Sequence, residues 1–125
     1  MQIAVNPRTI LVVEDEALIR MSTVAILEDA GFWVLEAQNG AEALDLLSRH
    51  SEISIMMTDV RMPGVPDGLA LVAQVHIDHP DIRSIVVSGD ATAIQASNAG
   101  AIGFLPKPYM AHTMVQAVHD TMKRH

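Results

Sequence analysis

Short apolar runs alternate along this chain with longer segments in which apolar residues recur at helical spacing. Five runs rich in Val and Ile predict strands over residues 9–13, 33–37, 53–58, 84–87 and 102–105. Runs of this length and composition are typical of strands that are buried on both faces of a parallel sheet.

The segments between these runs predict five helices, over residues 17–30, 41–49, 69–77, 92–99 and 111–123. Helical spacing in the first of them relates Leu18, Met21, Val24, Ala25 and Leu27. In the last it relates Met114, Val115, Val118 and Met122. Strict strand–helix alternation predicts an α/β fold, in which right-handed crossovers connect a parallel sheet with helices on both faces.

Four of the predicted strands end on a reactive polar group. The first is followed by Glu14 and Asp15, the third by Asp59, the fourth by Ser88 and the fifth by Lys107. Because the carboxyl ends of parallel strands lie along one edge of a sheet, these side chains are expected to converge there. Ligand sites of open α/β folds form at that edge.

Glu14, Asp15 and Asp59 are the strongest indication of a bound cation. Adjacent acids at a strand end are also compatible with solvated side chains or with capping of the next helix. Three carboxylates at one place repel each other, however, and need a positive charge. A set of oxygen ligands with few protein groups suits Mg²⁺, so a magnesium site is the favoured interpretation.

Ser88 and Lys107, together with the three acids, indicate that the site carries out phosphoryl transfer. Each alone is compatible with an ordinary solvated side chain. Lys107 lies between two prolines, which restrict its backbone, and its bond to Pro108 is a candidate cis peptide. Together the groups predict Asp59 as a nucleophile that accepts phosphate, with charge neutralised by the metal and Lys107. Ser88 is expected to hydrogen-bond a phosphoryl oxygen.

The bulk properties of the chain exclude several classes of protein. Its 125 residues suit one domain, and the absence of Cys excludes disulfides and thiolate metal sites. A net charge of −7 opposes direct binding to nucleic acid or to an anionic membrane. No apolar stretch approaches the roughly 20 residues of a membrane helix, and no signal-peptide core is found. We expect a soluble, cytoplasmic protein.

Five motifs in the chain resemble those of one known family. They are Val12-Val13-Glu14-Asp15-Glu16, Thr58-Asp59-Val60-Arg61-Met62-Pro63-Gly64, Asp67-Gly68, Val87-Ser88-Gly89 and Gly103-Phe104-Leu105-Pro106-Lys107-Pro108. In this order they resemble the receiver domain of bacterial response regulators, the phosphoacceptors of two-component signalling. We therefore expect a single receiver domain over residues 1–125, with its core at about 9–123, either standing alone or cut from a longer protein.

The resemblance implies a flavodoxin-like, doubly wound sheet in the order 2-1-3-4-5. It implies that a sensor histidine kinase or a histidine phosphotransfer protein donates a phosphoryl group to Asp59. Mg²⁺ would be held by Asp15, Asp59 and the backbone carbonyl of Arg61, with Glu14 acting partly through water. The bond between Lys107 and Pro108 would be cis.

The same resemblance implies a conformational switch. On phosphorylation, Ser88 would move towards the phosphoryl group and the ring of Phe104 would turn inward into the vacated space. Without the resemblance, Phe104 would be taken as a core or half-exposed ring. The fourth helix, fifth strand and fifth helix would form the face for an output partner or for a homodimer.

Three features depart from the common family pattern. The segment 62–68 is one residue longer than usual, Arg61 replaces a smaller polar residue, and Phe104 replaces a frequent Tyr. We hypothesise that Arg61 and Asp90, both expected at the mouth of the site, modulate the attack of water on the acyl phosphate.

The favoured function is therefore a phosphorylation-controlled signalling module that modifies only itself, and not an enzyme that turns over a metabolite. The chief alternative is a small Mg²⁺-dependent phosphohydrolase that acts through an aspartyl phosphate. A nucleotide- or flavin-binding protein is a weaker alternative, because the chain has no glycine-rich phosphate-binding motif. An interaction module that has lost the chemistry is disfavoured by the complete set of acids, hydroxyl and lysine.

Overall fold

The computed structural model describes residues 9–123 of the chain as ten alternating strands and helices. The strands are β1 Thr9–Val13, β2 Trp33–Ala37, β3 Ile53–Asp59, β4 Arg83–Ser88 and β5 Gly103–Pro106. The helices are α1 Ala17–Asp29, α2 Gly40–Arg49, α3 Gly68–Asp78, α4 Ala93–Ala99 and α5 Ala111–Lys123. The predicted strand and helix positions are confirmed, with small differences at the ends of elements.

The strands form one parallel sheet in the order β2-β1-β3-β4-β5, which confirms the predicted flavodoxin-like arrangement. Its register aligns the carboxyl ends of the central strands. Val13 of β1 pairs with Thr58 of β3, so that Glu14 and Asp59 follow at the same level. Asp59 pairs in turn with Val87 of β4, the residue before Ser88. The polar residues at the strand ends therefore share one edge.

Alternate side chains of the sheet enter two separate cores, as the strand period requires. On one face, residues such as Leu11 and Met56 pack against α2, α3 and α4. On the other face, residues such as Ile10 and Met57 pack against α1 and α5. Burial of the strands on both faces explains their continuous apolar sequence. β2 differs because it lies at the edge of the sheet, and Trp33 at its start is exposed.

Helix α1 exposes two of the apolar residues that recur in it at helical spacing. Leu18 is 82% exposed and Met21 is 61% exposed, so the residues that helical spacing relates do not form one buried stripe. The buried residues of α1 are Thr23 and Leu27, and Ile26 packs beside them. Apolar residues occur almost all around this helix, and the spacing alone did not distinguish the two faces.

Side-chain caps explain where three helices begin. The carboxylate of Asp67 accepts a hydrogen bond from the N–H of Ala70 at 2.9 Å, and α3 starts at the next residue. Thr92, which the sequence placed inside α4, forms a capping box with Gln95 and lies just before the helix. Asn39 caps α2 through its side-chain oxygen, which accepts from the N–H of Glu42 at 2.8 Å. Between residues 9 and 123, none of the helices is both long and apolar enough to cross a membrane.

Candidate functional site

Glu14, Asp15 and Asp59 come together at the carboxyl edge of the sheet. One carboxylate oxygen from each lies within 4.8 Å of the others. Glu14 and Asp15 belong to the turn between β1 and α1, and Asp59 is the last residue of β3. Carboxylate oxygens suit Mg²⁺, which takes one or two protein carboxylates and keeps several waters, so that two of these acids could hold it directly and the third through water.

Glu14 is the most buried of the three acids, at 5% exposure. Burial, together with the neighbouring carboxylates of Asp15 and Asp59, raises the pKa of its carboxyl group to about 7. A hydrogen bond from the N–H of Glu16 to Glu14 Oε2, at 3.0 Å, acts in the opposite direction because it stabilises the carboxylate. A bound cation would therefore relieve the repulsion between these three carboxylates.

Lys107 supplies one positive charge to this cluster. Its Nζ donates a hydrogen bond to Asp59 Oδ2 at 2.8 Å and lies 4.0 Å from Glu14 Oε1. Partial burial acts to lower the pKa of the ammonium group, but the bond to Asp59 and the charges of Asp59 and Glu14 outweigh it, so the pKa is raised. The Lys107–Pro108 peptide bond is cis, the isomer that the resemblance implies.

Ser88 lies beside this cluster with its hydroxyl directed at the loop after β4. Its Oγ donates to Asp90 Oδ1 at 3.2 Å and accepts from the N–H groups of Asp90 and Ala91 at 3.2 and 2.8 Å. The Ser88 carbonyl accepts from the N–H of Lys107 at 2.8 Å, which ties β4 to the segment that carries the lysine. The hydroxyl therefore forms its hydrogen bonds with the loop after β4 and not with Asp59.

Arg61 and Asp90 form an ion pair across the mouth of the site. Arg61 Nε donates to Asp90 Oδ2 at 2.6 Å, and Nη2 contacts the same oxygen. The N–H of Arg61 is 3.4 Å from Asp59 Oδ1. The pair joins the loop after β3 to the loop after β4, beside a cleft of about 420 Å³. This cleft is lined by Asp15, Glu16, Ile19, Asp59, Arg61, Ser88, Gly89, Asp90 and Lys107.

Phe104 lies on β5, away from the acids, with its ring partly buried. It packs against the core that β5 shares with α3 and α4. It also lines a groove between α4 and α5, together with Ala93, Ala96, Ser97, Ala117, Asp120 and Thr121. The ring therefore connects the interior of the molecule to the face formed by α4, β5 and α5.

The long loop 62–68 is braced against α2. A Cβ atom added to Gly40 would lie 2.5 Å from the carbonyl oxygen of Pro66, so only glycine permits this close approach. The loop therefore packs closely on the start of α2 through Pro66, while Met62, Pro63 and Asp67 line a pocket together with Asp90.

Gly68 packs directly on the backbone of Asp59, a role that the sequence did not reveal although Asp67-Gly68 was one of the recognised motifs. Its N–H donates to the carbonyl oxygen of Val60 at 2.9 Å. A Cβ atom added here would lie 2.0 Å from the carbonyl oxygen of Asp59 and 2.6 Å from the Cα of Val60. The absence of a side chain lets α3 begin against the residue that ends β3.

We expect Gly68→Ala to lower the free energy of unfolding by about 1–3 kcal/mol, because the added methyl group forces the backbone of Asp59 to move. Urea denaturation measures the change. Gly89→Ala is the matched control, since its Cβ atom would meet only Lys107 Cβ at 3.8 Å, an ordinary contact. Equal stability of the wild type and the Gly68→Ala variant would contradict the proposed close packing.

Arg20 is a second residue whose contacts the sequence did not reveal. Its Nη1 donates to the carbonyl oxygen of Glu14 at 2.7 Å, and its Nε donates to Glu36 Oε1 at 3.2 Å. Arg20 is the fourth residue of α1, and only the folded chain shows that its side chain reaches the end of β1. A basic residue shortly after a pair of acids is a weak signal that could have indicated such a contact.

The sequence of the chain matches one known family over most of its length. Residues 10–119 match the family described as response regulator receiver domain. The chain is 34% identical over 117 residues to the chemotaxis protein CheY of Bacillus subtilis, a match that covers 90% of this chain and 96% of that protein. It is 38% identical over 120 residues to the sensor kinase CckA of Brucella abortus, covering 93% of this chain but 13% of the kinase.

Solved structures agree with this match. A response regulator receiver domain protein from Clostridium thermocellum superposes with a TM-score of 0.86 at 28% identity, covering 94% of this chain and 95% of that one. The chain nevertheless spans only a small part of several curated relatives, for example 21% of the DNA-binding transcriptional regulator NtrC of Escherichia coli. The family match, the sheet order and the acid cluster agree, and the chain belongs to the family of response regulator receiver domains.

Proposed function

We propose that this chain accepts a phosphoryl group on Asp59 from a phosphohistidine of a sensor histidine kinase or a histidine phosphotransfer protein. Receiver domains are signalling modules of two-component systems, and we propose that this one controls a partner or an attached output. The observation that carries the proposal is the contact between Lys107 Nζ and Asp59 Oδ2 within a cluster of three acids. We further propose that residues 1–125 form one receiver domain, located in the cytoplasm.

The acid cluster would hold Mg²⁺ through Asp15, Asp59 and the backbone carbonyl of Arg61, with Glu14 contributing partly through water. This assignment is supported by the convergence of the three carboxylates and by the position of Arg61 two residues after Asp59. When bound, the ion supplies positive charge that offsets the oxygens of the transferred phosphoryl group.

Asp59 is the nucleophile in the proposed reaction. A carboxylate oxygen of Asp59 forms a bond to phosphorus while the bond between phosphorus and the histidine nitrogen of the donor breaks, and the released imidazole takes up a proton. Lys107, already bonded to Asp59 Oδ2, is placed to accompany the negative charge that arrives with the phosphoryl oxygens. The product is an aspartyl phosphate, which water later hydrolyses.

Ser88 and Phe104 would convert this covalent change into a change of shape. The hydroxyl of Ser88 would exchange its bonds to Asp90 and Ala91 for a bond to a phosphoryl oxygen. The partly buried ring of Phe104 would turn further inward and so alter the face formed by α4, β5 and α5. The two arrangements form a two-state equilibrium that phosphorylation biases.

We propose the same α4-β5-α5 face as the contact for an output partner or a second copy of this chain. The groove beside Phe104 supports this, since any movement of the ring changes its lining. The net charge of −7 does not favour direct contact with nucleic acid or an anionic membrane. Sedimentation with and without a phosphoryl mimic tests for the dimer.

The amount of phosphate released separates this proposal from a phosphohydrolase. In the presence of a small phosphodonor and Mg²⁺, we expect phosphoryl groups to accumulate on the protein up to about one per chain. Release of free phosphate should be no faster than decay of the adduct. Rapid release from many different phosphate esters, with little adduct, would favour the Mg²⁺-dependent phosphohydrolase instead.

We expect Arg61→Ala and Asp90→Ala each to shorten the lifetime of the aspartyl phosphate by about twofold to fivefold, a range suited to one exposed ion pair. The bridge between these residues restricts the approach of water to Asp59. The double variant should be no faster than the single ones, because both changes remove the same contact. Asp45→Ala, which breaks an exposed ion pair on α2, is the control. Unchanged lifetimes in the single variants would refute the proposed role.

A further inference from the structure

Arg20 joins three parts of the molecule beside the acid cluster. It lies on α1, donates from Nη1 to the carbonyl oxygen of Glu14 after β1, and donates from Nε to the carboxylate of Glu36 on β2. Its side chain is 18% exposed, against 47% for Glu36. An arginine fork that binds two acceptors at once has a restricted geometry, which a lysine cannot reproduce.

The contact with Arg20 completes the fixation of Glu14. The N–H of Glu14 donates to the carbonyl oxygen of Ala37 at 3.0 Å, and its carboxylate accepts from the N–H of Glu16 at 3.0 Å. The carbonyl oxygen is the third point, held by Arg20 at 2.7 Å. That carbonyl belongs to the peptide that links Glu14 to Asp15. Its direction therefore fixes the orientation of the peptide plane and, with it, the position of Asp15.

We propose that Arg20 is a positioning residue that orients the Glu14–Asp15 peptide so that both carboxylates face the cation site. The inference rests on the proposed function, since it assumes that this cluster binds Mg²⁺. Arg20 does not contact the phosphoryl group in this account. It acts through Glu14, as groups behind metal ligands commonly do when they fix a ligand in its binding orientation.

Charge and positioning predict opposite effects of removing Arg20. A guanidinium group beside a cation site repels Mg²⁺, so on charge alone its loss would strengthen metal binding. If Arg20 holds the peptide in place, its loss weakens binding although the site becomes more negative. The sign of the change therefore distinguishes the two roles.

The experiment measures Mg²⁺ affinity by isothermal titration calorimetry on the whole chain. We expect Arg20→Met to weaken binding about tenfold, the lower end of the range for groups behind metal ligands. Arg20→Lys keeps the charge but not the fork, and we expect weaker binding than in the wild type. Arg49→Met is the matched control, because it removes an equal charge from an exposed pair on α2. It should leave the affinity unchanged or slightly raised.

Phosphorylation kinetics add a second readout. The Mg²⁺ concentration that gives half the maximal rate of adduct formation should rise in Arg20→Met, while the rate at saturating Mg²⁺ should change little. Mg²⁺ binding in Arg20→Met that is as tight as in the wild type, or tighter, would overturn the inference. If Arg20→Met does not fold, an Arg20→Lys variant with wild-type Mg²⁺ affinity would overturn it instead. If the wild type binds Mg²⁺, a contrary result in the variants overturns only the inference about Arg20. If the wild type does not bind Mg²⁺, both the inference and the proposed function are overturned.

Discussion

We expect Asp59→Asn to abolish the incorporation of phosphate from a labelled small phosphodonor in the presence of Mg²⁺. An amide oxygen is a poor nucleophile and cannot form a stable acyl phosphate, so the covalent step has no acceptor. The substitution preserves the size of the side chain, and it leaves the carboxylates of Glu14 and Asp15 in place. The expected loss is complete, whereas a purely electrostatic role for Asp59 would leave slow incorporation.

Asp67→Asn is the control for this loss. Asp67 lies in the loop that follows Asp59, is exposed, and caps α3 through the N–H of Ala70. Asparagine caps helices about as well as aspartate, so this variant should fold and incorporate phosphate like the wild type. Incorporation by Asp59→Asn at the level of Asp67→Asn would show that another residue is the acceptor.

We expect Lys107→Met to slow phosphorylation by about 100-fold, the effect typical of removing one charged or hydrogen-bonding group from a transition state. The ammonium of Lys107 contacts Asp59 Oδ2 at 2.8 Å and is partly shielded from water. Methionine keeps the length and apolar stem of the side chain but supplies no charge. The time course of adduct formation at fixed donor and saturating Mg²⁺ measures the effect.

Lys123→Met removes the same charge from the last turn of α5, where the lysine is exposed. Its phosphorylation rate should match the wild type, because salt screens an exposed charge that does not contact Asp59. If both lysine variants slow the reaction equally, the effect belongs to the net charge of the protein and not to the contact with Asp59.

The fold could be predicted from the sequence because its strands are buried on both faces. Short runs rich in Val and Ile are typical of strands buried on both faces of a parallel sheet, and four of the five predicted strands are followed by a reactive polar group. That pattern also placed Glu14, Asp15 and Asp59 at one edge, since parallel strands align their carboxyl ends. The order of the strands was not contained in the apolar pattern and came from the resemblance to the family.

Packing around the site was less accessible to sequence reasoning. The exposure of Leu18 and Met21 depends on how α1 rotates against the sheet, and apolar residues on several sides of the helix left that rotation open. The bridge from Arg20 to Glu14 and Glu36 joins residues on three elements. Gly68 packs against Asp59 through backbone atoms. The only sign of such a contact in the sequence is the glycine itself.

We propose that Asp59 carries a reversible phosphoryl group. Intact-protein mass spectrometry after incubation with acetyl phosphate tests it most directly, with peptide mapping of the modified chain. We expect a gain of one phosphoryl group on the peptide that contains Asp59, dependent on Mg²⁺ and lost again after the donor is removed. A wild-type mass that does not change, or a phosphoryl group mapped to another residue, would contradict it.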